Sequence, residues 1–199
     1  MDKMIIDNIE YRITGSETIL DSAKVLDIEI PTLCHNEHIK PYGACRLCLV
    51  EVALKSNPEA AKLMPACTTL ADPNYIIKTK SERIQKARHF IMEMLLSRCP
   101  ESNEIKALAE KIGVYSSENN RTKDYLLNRA ASYTDTKCIL CGLCVRVCDE
   151  ITERYALGFS GRGMKRRVNT PFDKISDSCI GCGSCAYVCP TKTITLEEA

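Results

Sequence analysis

The sequence lacks any long apolar run and any excess of charge of one sign. Its longest apolar stretch, Phe90 to Leu96, is interrupted by Glu93 and is far shorter than the about 20 residues that a membrane-spanning helix needs. The N-terminal segment has no basic region followed by an apolar one, as a secretory signal would. A formal net charge of +1 gives no reason to expect nucleic-acid binding. We therefore expect a cytoplasmic protein without membrane insertion and without a nucleic-acid partner.

The sequence also lacks the patterns of catalytic and nucleotide-binding sites. Gly158, Gly161 and Gly163 match no phosphate-binding fingerprint in spacing or context. No Ser-His-Asp arrangement and no pair of carboxylates can be placed as acid and base. We therefore predict that the chain has no catalytic site of its own.

What the sequence does have is cysteine, at 13 of 199 residues. That many cysteines indicate either a secreted disulfide scaffold or metal binding in a reducing compartment. Several of them stand only two residues apart, which favours a small metal cage over bridges between distant segments. Disulfides remain the alternative interpretation.

Eight of the cysteines form two copies of the pattern C-x2-C-x2-C-x3-C. In bacterial ferredoxins, each such copy gives three thiolates to one 4Fe–4S cluster and its fourth thiolate to the other cluster. The second copy ends in Cys-Pro, as that run does, whereas the first ends in Cys148-Asp149, which removes no ligand. The predicted ligands are Cys138, Cys141, Cys144 and Cys189 for the first 4Fe–4S cluster, and Cys148, Cys179, Cys182 and Cys185 for the second.

Four more cysteines precede the repeat, at Cys34, Cys45, Cys48 and Cys67, with the spacing C-x10-C-x2-C-x18-C. This is the layout of a plant-type 2Fe–2S site, although the plant form has a first gap of about four residues. Four thiolates also suit zinc, and spacing alone does not exclude it. Two 4Fe–4S sites on the same chain favour a 2Fe–2S cluster. Gly43 leaves the backbone bare near the Cys45 pair, so that N–H groups can reach the sulfurs.

The segment of residues 1–80 has the pattern of a small α+β domain. Residues 4–13 alternate as the two strands of a hairpin, and residues 18–28 have the spacing of a short amphipathic helix. Residues 47–54 and 75–79 are strand candidates. This order of elements predicts a sheet with one helix.

A helical connector is predicted over residues 81–133. Its first helix is capped by Ser81 and stops at Cys99-Pro100, and its second is bounded by Ser102 and Gly113. The first helix is expected to pack through Ile84, Ala87, Ile91, Met94 and Leu95. The second helix covers residues 103–112. It is followed by a polar linker over 116–124, a short helix over 125–131 and the two-cluster domain over 134–199.

Four stretches carry a resemblance to a known family: IPTLCHNEHIKPYGACRLCLVEV, LMPACTT, KTKSERIQKARHFIMEMLL and GFSGRGMKRRVNTPF. They resemble the N-terminal region of the large Fe–S subunit of respiratory complex I. They are similar also to the diaphorase gamma subunit of NAD-reducing hydrogenases and to the N-terminal region of multi-cluster iron-only hydrogenases. The resemblance implies an N-terminal β-grasp 2Fe–2S domain, a helical connector and a C-terminal bacterial-type ferredoxin domain with two 4Fe–4S clusters.

The resemblance also implies a function. It is that of an electron-transfer subunit in a hetero-oligomeric oxidoreductase, with a flavin-containing NAD(P)H-oxidising partner subunit. A second redox subunit would be a hydrogenase, a formate dehydrogenase or a flavoprotein, and an electron-bifurcating or transhydrogenase complex is the finer expectation. Two other classes stay open, a free-standing diffusible ferredoxin and a zinc-binding adaptor protein.

The sequence departs from this family after the stretch EMLL. The relatives carry H-x3-C-x2-C-x5-C there for a further 4Fe–4S cluster, whereas this chain keeps only Cys99. We predict that this cluster is absent, that the helices persist and that Cys99 is an unligated thiol. Two features allow two interpretations each. His35 is either a hydrogen-bond donor near the 2Fe–2S site or a surface residue. The basic residues Arg162, Lys165, Arg166 and Arg167 form either a solvated loop or a docking patch for an acidic partner.

Overall fold

The structure is a computed structural model that describes residues 3–114 and 137–196. The chain divides into two compact units, described separately below. The first unit is Met1–Leu33 with Pro41–Met92, and the second is Cys34–Lys40 with Glu93–Ala199. The linker and short helix predicted over 116–131 lie outside the described residues.

The first unit contains a five-stranded mixed sheet, one short helix and the N-terminal part of a longer helix. The strands are β1 Lys3–Ile6, β2 Ile9–Arg12, β3 Leu49–Leu54, β4 Asn57–Pro65 and β5 Tyr75–Lys78, and the short helix is α1 Ile19–Val25. Their order in the sheet is β2-β1-β5-β3-β4, with β1 parallel to β5 and the other pairs antiparallel. This is a β-grasp arrangement, and it confirms the predicted α+β fold of the N-terminal region.

Local sequence explains how this unit begins. Asp7 and Asn8 join β1 to β2 with φ of 46° and 69°, the two positive angles of a type I′ hairpin turn. Thr18 caps α1 through a reciprocal capping box with Asp21. Met4 and Ile6 alternate inward from β1 and join the core formed by Ile19, Leu20, Ala23, Val50, Ala66 and Ile77.

Strand β4 was not predicted from the sequence. Its sequence NPEAAKLMP has no apolar alternation, contains two prolines and is largely exposed. β4 lies at the edge of the sheet, where one side of the backbone needs no partner and proline is tolerated. This segment therefore forms a strand because it pairs with β3, and no side-chain pattern in its sequence indicates a strand.

Helix α2, Glu82–Arg98, follows the sheet. Ser81 Oγ accepts a hydrogen bond from the Ile84 N–H at 3.1 Å, and the helix ends directly before Cys99-Pro100, as predicted. The predicted packing face is wrong at one position. Met94 is 42% exposed. Met92 lies two helical turns after Ile84, and both of these residues are completely buried.

The second unit consists of short elements around the cysteine repeat. Helix α3 covers Asn103–Ile112, with Ser102 as its N-cap and Gly113 as its left-handed C-cap, as predicted. The other elements are helices α4 Leu143–Glu150 and α5 Ser184–Tyr187, strands β6 Gly158–Ser160 and β7 Arg167–Asn169, and 3-10 turns at Gly163–Lys165 and Pro171–Asp173. Helices α4 and α5 pack against each other, and β6 pairs with β7. Within the described ranges, no helix combines the length and the apolar character needed to cross a bilayer.

Candidate iron–sulfur sites

All thirteen cysteines lie within the described residues, and none of them forms a disulfide bond. The disulfide interpretation is therefore wrong for this chain. The cysteines are distributed over both units.

Cys48 and Cys67 come together at one end of the β3–β4 hairpin. β3 begins directly after Cys48, β4 ends two residues before Cys67, and the Ala66 N–H donates to the Cys48 carbonyl at 3.0 Å. The two Sγ atoms are 3.3 Å apart, well beyond the about 2.04 Å of a disulfide bond. Both thiols are buried, as is Cys45. The hairpin register thus determines this part of the predicted 2Fe–2S site.

The loop that leads to Cys48 turns twice through left-handed backbone angles. Gly43 has a φ of 69° and Arg46 a φ of 62°. A Cβ atom added to Gly43 would lie 3.1 Å from Cγ2 of Thr68, the residue that follows Cys67. Glycine therefore lets the Cys45 loop approach the Cys67 loop closely.

Cys34, the fourth predicted ligand of the 2Fe–2S site, belongs to the second unit. It is buried, and it is close enough to Cys141 for its charge to act on that thiol. Both ring nitrogens of the adjacent His35 are also buried, so the interpretation of His35 as a surface residue is wrong.

The two copies of the cysteine repeat fold alike. Gly142 and Gly183 each follow the second cysteine of a copy, adopt φ of 79° and 74°, and start a short helix. Cys144 and Cys148 lie on α4, and Cys185 lies on α5. The internal repeat of the sequence is thus a structural repeat as well.

The four predicted ligands of the first 4Fe–4S cluster line one cavity of about 1150 Å³. They are Cys138, Cys141, Cys144 and Cys189, and Cys185 also reaches its wall. Burial, with a smaller contribution from the charges of neighbouring thiols, raises the pKa of Cys141 to about 11 and that of Cys144 to about 12. Such thiols lose their protons only when a cation takes their place, as in metal ligation.

Backbone N–H groups point at the fourth cysteine of each copy. The Ala156 N–H donates to Cys148 Sγ at 3.3 Å, and the Thr193 N–H donates to Cys189 Sγ at 3.3 Å. Burial alone would raise the pKa of Cys189, but hydrogen bonds from Thr191 and nearby backbone outweigh it and lower this pKa. Donors of this kind set the reduction potential of an iron–sulfur cluster.

The predicted ligands of the second cluster are more accessible. Cys179 and Cys182 are exposed, whereas Cys148 and Cys185 are half-buried. A hydrogen bond to Ser184 lowers the pKa of Cys182. The two clusters are therefore predicted to differ in their exposure to solvent.

Cys99 lies apart from these ligand sets in sequence but is completely buried. Its N–H continues the α2 hydrogen-bond pattern to Leu95 at 2.9 Å, and burial raises its pKa to about 11. Cys138 is its electrostatic neighbour. The predicted helices α2 and α3 around it are present, and the absence of a cluster here stays a prediction.

Two arginines near the ligands were not predicted from the sequence. Arg88 donates to the carbonyls of Leu47 and Leu49, which flank Cys48, at 3.1 and 2.9 Å. Arg98 donates from Nε to the Cys138 carbonyl at 2.9 Å. The signal available in the sequence for Arg88 was its position between Ile84 and Met92, two apolar residues that share its helix face at intervals of four.

The thiols of these sites suit iron–sulfur clusters. They are buried or half-buried apart from Cys179 and Cys182, and thiolates are the ligands that such clusters use. Backbone N–H groups donate to the sulfurs of Cys138, Cys148 and Cys189. Across residues 3–114 and 137–196, no group of three or more Cys, His, Asp or Glu side chains converges as the ligands of a single metal ion do.

Comparison with known families defines two cluster-binding regions. Residues 3–82 match the family described as a 2Fe-2S iron-sulfur cluster binding domain, and residues 137–197 match the family described as a 4Fe-4S dicluster domain. The chain thus combines two types of iron–sulfur domain.

Among curated proteins, the chain is similar to components of large oxidoreductases. It is 32% identical over 206 residues to a component of the NADH-quinone oxidoreductase of Rhizobium meliloti (strain 1021), covering 96% of this chain and 23% of that protein. It is 34% identical over 213 residues to the HndD component of the NADP-reducing hydrogenase of Solidesulfovibrio fructosivorans, covering 97% and 36%. These matches confirm the predicted resemblance, and the chain spans only about a quarter to a third of these relatives.

A solved structure has the same fold. A chain of NAD+-reducing NiFe hydrogenase in the H2-reduced state superposes with a TM-score of 0.77, covering 96% of this chain and 86% of that one. The two sequences are 23% identical, so this similarity concerns the fold.

Proposed function

We propose that this chain is an electron-transfer subunit of a multi-subunit, NAD(P)H-linked and flavin-containing oxidoreductase. Its cofactors would be one 2Fe–2S and two 4Fe–4S clusters, which supply one-electron carriers when bound. The observation that carries the proposal is the cavity lined by Cys138, Cys141, Cys144 and Cys189, in a chain that also matches a 2Fe–2S family. The chain would have no catalytic site, and its thiol ligands favour a cytoplasmic, reducing location.

The proposed organisation keeps the boundaries derived from the sequence. Residues 1–80 would form the 2Fe–2S domain, residues 81–133 the connector and residues 134–199 the two-cluster domain. The 2Fe–2S ligands would be Cys34, Cys45, Cys48 and Cys67. Their spacing and the match of residues 3–82 to a 2Fe–2S family support this set.

A direct electron step between the 2Fe–2S site and the first 4Fe–4S site is part of this proposal. Cys34 and Cys141 are predicted ligands of the two sites, and they are electrostatic neighbours within the second unit. The cluster that the family relatives hold after α2 would then be unnecessary as a bridge. Reduced protein should show magnetic coupling between the 2Fe–2S signal and a 4Fe–4S signal, and two isolated signals would contradict the direct step.

The second 4Fe–4S site is proposed as the point of exchange with another redox subunit. Its ligands Cys179 and Cys182 are exposed. Phe172, Ile175 and Tyr187 of the same unit are 93%, 91% and 89% exposed, and we propose that a partner subunit covers them. A hydrogenase, a formate dehydrogenase or a flavoprotein subunit are the candidate partners.

The basic run contributes less to docking than its sequence suggests. Arg167 pairs with Asp173 at 2.6 Å, and the Arg166 guanidinium lies 4.1 Å from the ring centroid of Phe159. Two of its four cations thus have partners within their own unit, which favours the interpretation as a loop over that as an acidic-partner patch.

Anaerobic purification from the native host, with subunit identification and iron counting, tests the proposed function. The chain should co-purify with a flavin-containing subunit and hold about ten iron atoms. Isolation without stoichiometric partners would instead identify a diffusible ferredoxin. A colourless, redox-silent protein containing zinc would overturn the electron-transfer function altogether.

A further inference from the structure

The buried face of α2 contains one charged residue beside the 2Fe–2S ligands. Ile84, Arg88 and Met92 follow one another at intervals of four residues, and the first and last are completely buried. Arg88 is half-buried between them. Burying a guanidinium costs free energy unless it is hydrogen-bonded, so its partners explain its place.

Those partners are the two backbone carbonyls on either side of Cys48. Arg88 Nε donates to Leu47 at 3.1 Å, and Nη2 donates to Leu49 at 2.9 Å. Strand β5 pairs with β3 only from Glu51 onward, so the sheet does not extend to Leu49 on that side. Where the pairing of β3 with β5 stops, the Arg88 guanidinium fork supplies the hydrogen bonds instead. It connects the two carbonyls on either side of one predicted ligand, Cys48.

The charge of Arg88 also acts at this site. Burial lowers the pKa of Arg88, while the charge of Cys48 raises it, which shows that the two groups interact electrostatically. Arginine stays protonated in proteins, so a permanent positive charge adjoins the thiolate. A cation near the ligands stabilises the extra negative charge that one-electron reduction adds to a cluster.

We propose that Arg88 is a positioning residue of the 2Fe–2S site, which holds the Cys48 loop through its fork and raises the reduction potential of the cluster through its charge. This inference rests on the proposed function, because it assumes a 2Fe–2S cluster on Cys34, Cys45, Cys48 and Cys67. It is independent of the partner subunits and of both 4Fe–4S sites.

The chain offers a matched control on the same helix. Arg83 is also an α2 arginine that donates to a backbone carbonyl of the sheet, that of Ala61 at 2.9 Å. That carbonyl belongs to β4 and does not adjoin a cysteine. The same guanidinium lies 3.9 Å from the Glu51 carboxylate of β3. Arg83→Gln therefore removes the same charge, a similar hydrogen bond and this ion pair without changing a residue of the cluster loop.

The experiment compares Arg88→Gln, Arg88→Lys and Arg83→Gln with the wild-type full chain. The readouts are iron per chain, the thermal unfolding midpoint and the 2Fe–2S midpoint potential. The potential is measured from the electron paramagnetic resonance signal during a dithionite titration. At the wild-type midpoint potential, Arg88→Gln should lower the ratio of reduced to oxidised 2Fe–2S about tenfold, equivalent to about 59 mV for one electron. Arg88→Lys should restore the potential but load less iron, and Arg83→Gln should match the wild type in iron content and in 2Fe–2S potential.

Each result bears on the inference. If Arg88→Gln fails to load the 2Fe–2S cluster while Arg83→Gln loads it, the positioning role is supported. An Arg88→Gln protein that loads normally at an unchanged potential would overturn the electrostatic role. A lysine variant identical to the wild type in loading, unfolding and potential would overturn the role of the fork. Wild-type protein without any 2Fe–2S signal would overturn the proposed cofactor and this inference together, whereas the other results leave the proposed function intact.

Discussion

Replacing Gly43 by alanine should weaken the 2Fe–2S site for two separable reasons. First, the φ of 69° is a left-handed angle that costs a residue with a Cβ about 1–2 kcal/mol. Second, the new Cβ would stand 3.1 Å from Cγ2 of Thr68, closer than ordinary van der Waals contact. For a chain of this size, the first cost alone should lower the unfolding midpoint by about 2–8 °C.

The Thr68→Ser change separates these two contributions. Serine lacks Cγ2 but keeps the hydroxyl, which in the wild type lies 3.5 Å from the Pro65 carbonyl. The Gly43→Ala/Thr68→Ser double variant should therefore recover the contact part of the loss and keep the φ part. Thermal unfolding and the visible circular dichroism of the 2Fe–2S cluster would measure stability and cluster content in all four proteins.

The refuting results are specific. If Gly43→Ala loads the cluster and unfolds like the wild type, the close approach of the Cys45 and Cys67 loops does not limit this site. If Thr68→Ser gives no recovery in the double variant, the contact contributes nothing and the backbone angle accounts for the whole effect.

Three further predictions follow from burial and capping. Cys179 and Cys182 are exposed, whereas Cys141 and Cys144 are buried. A limiting amount of iron chelator should therefore remove the second 4Fe–4S cluster first, as measured by its electron paramagnetic resonance signal. Equal loss of both 4Fe–4S signals would contradict this difference in exposure. Cys99 is buried with a pKa raised to about 11, so iodoacetamide at neutral pH should label it only after unfolding, and Cys99→Ser should leave the iron content unchanged. Ser102 accepts from the Ile105 N–H at 3.4 Å as the N-cap of α3, so Ser102→Ala should cost about 1 kcal/mol in urea unfolding, and a change below a few tenths would contradict the cap.

Elements with strong local signals were predictable. The bounds of α3 follow from Ser102 and Gly113, and the stop of α2 follows from Cys99-Pro100, because capping and proline act within a few residues. β4 was missed because an edge strand needs no apolar pattern, and its pairing with β3 is a non-local property. The α2 packing face was misjudged at Met94 because several faces of α2 carry apolar residues, and only the tertiary structure decides which one is buried.

For the candidate sites, the sequence determined the chemistry. Thiols spaced two or three residues apart limit the ligand geometry wherever they occur, so the repeat at 138–189 indicates two 4Fe–4S clusters before any fold is known. The tertiary structure decided the environment of these ligands. It made Cys141 buried and Cys182 exposed, and it brought Cys34 within electrostatic range of Cys141. It also brought Arg88, from a distant part of the chain, to the carbonyls on either side of Cys48. Ligand spacing is a local covalent property, whereas burial, charge and hydrogen bonding around a ligand depend on segments that only folding brings together.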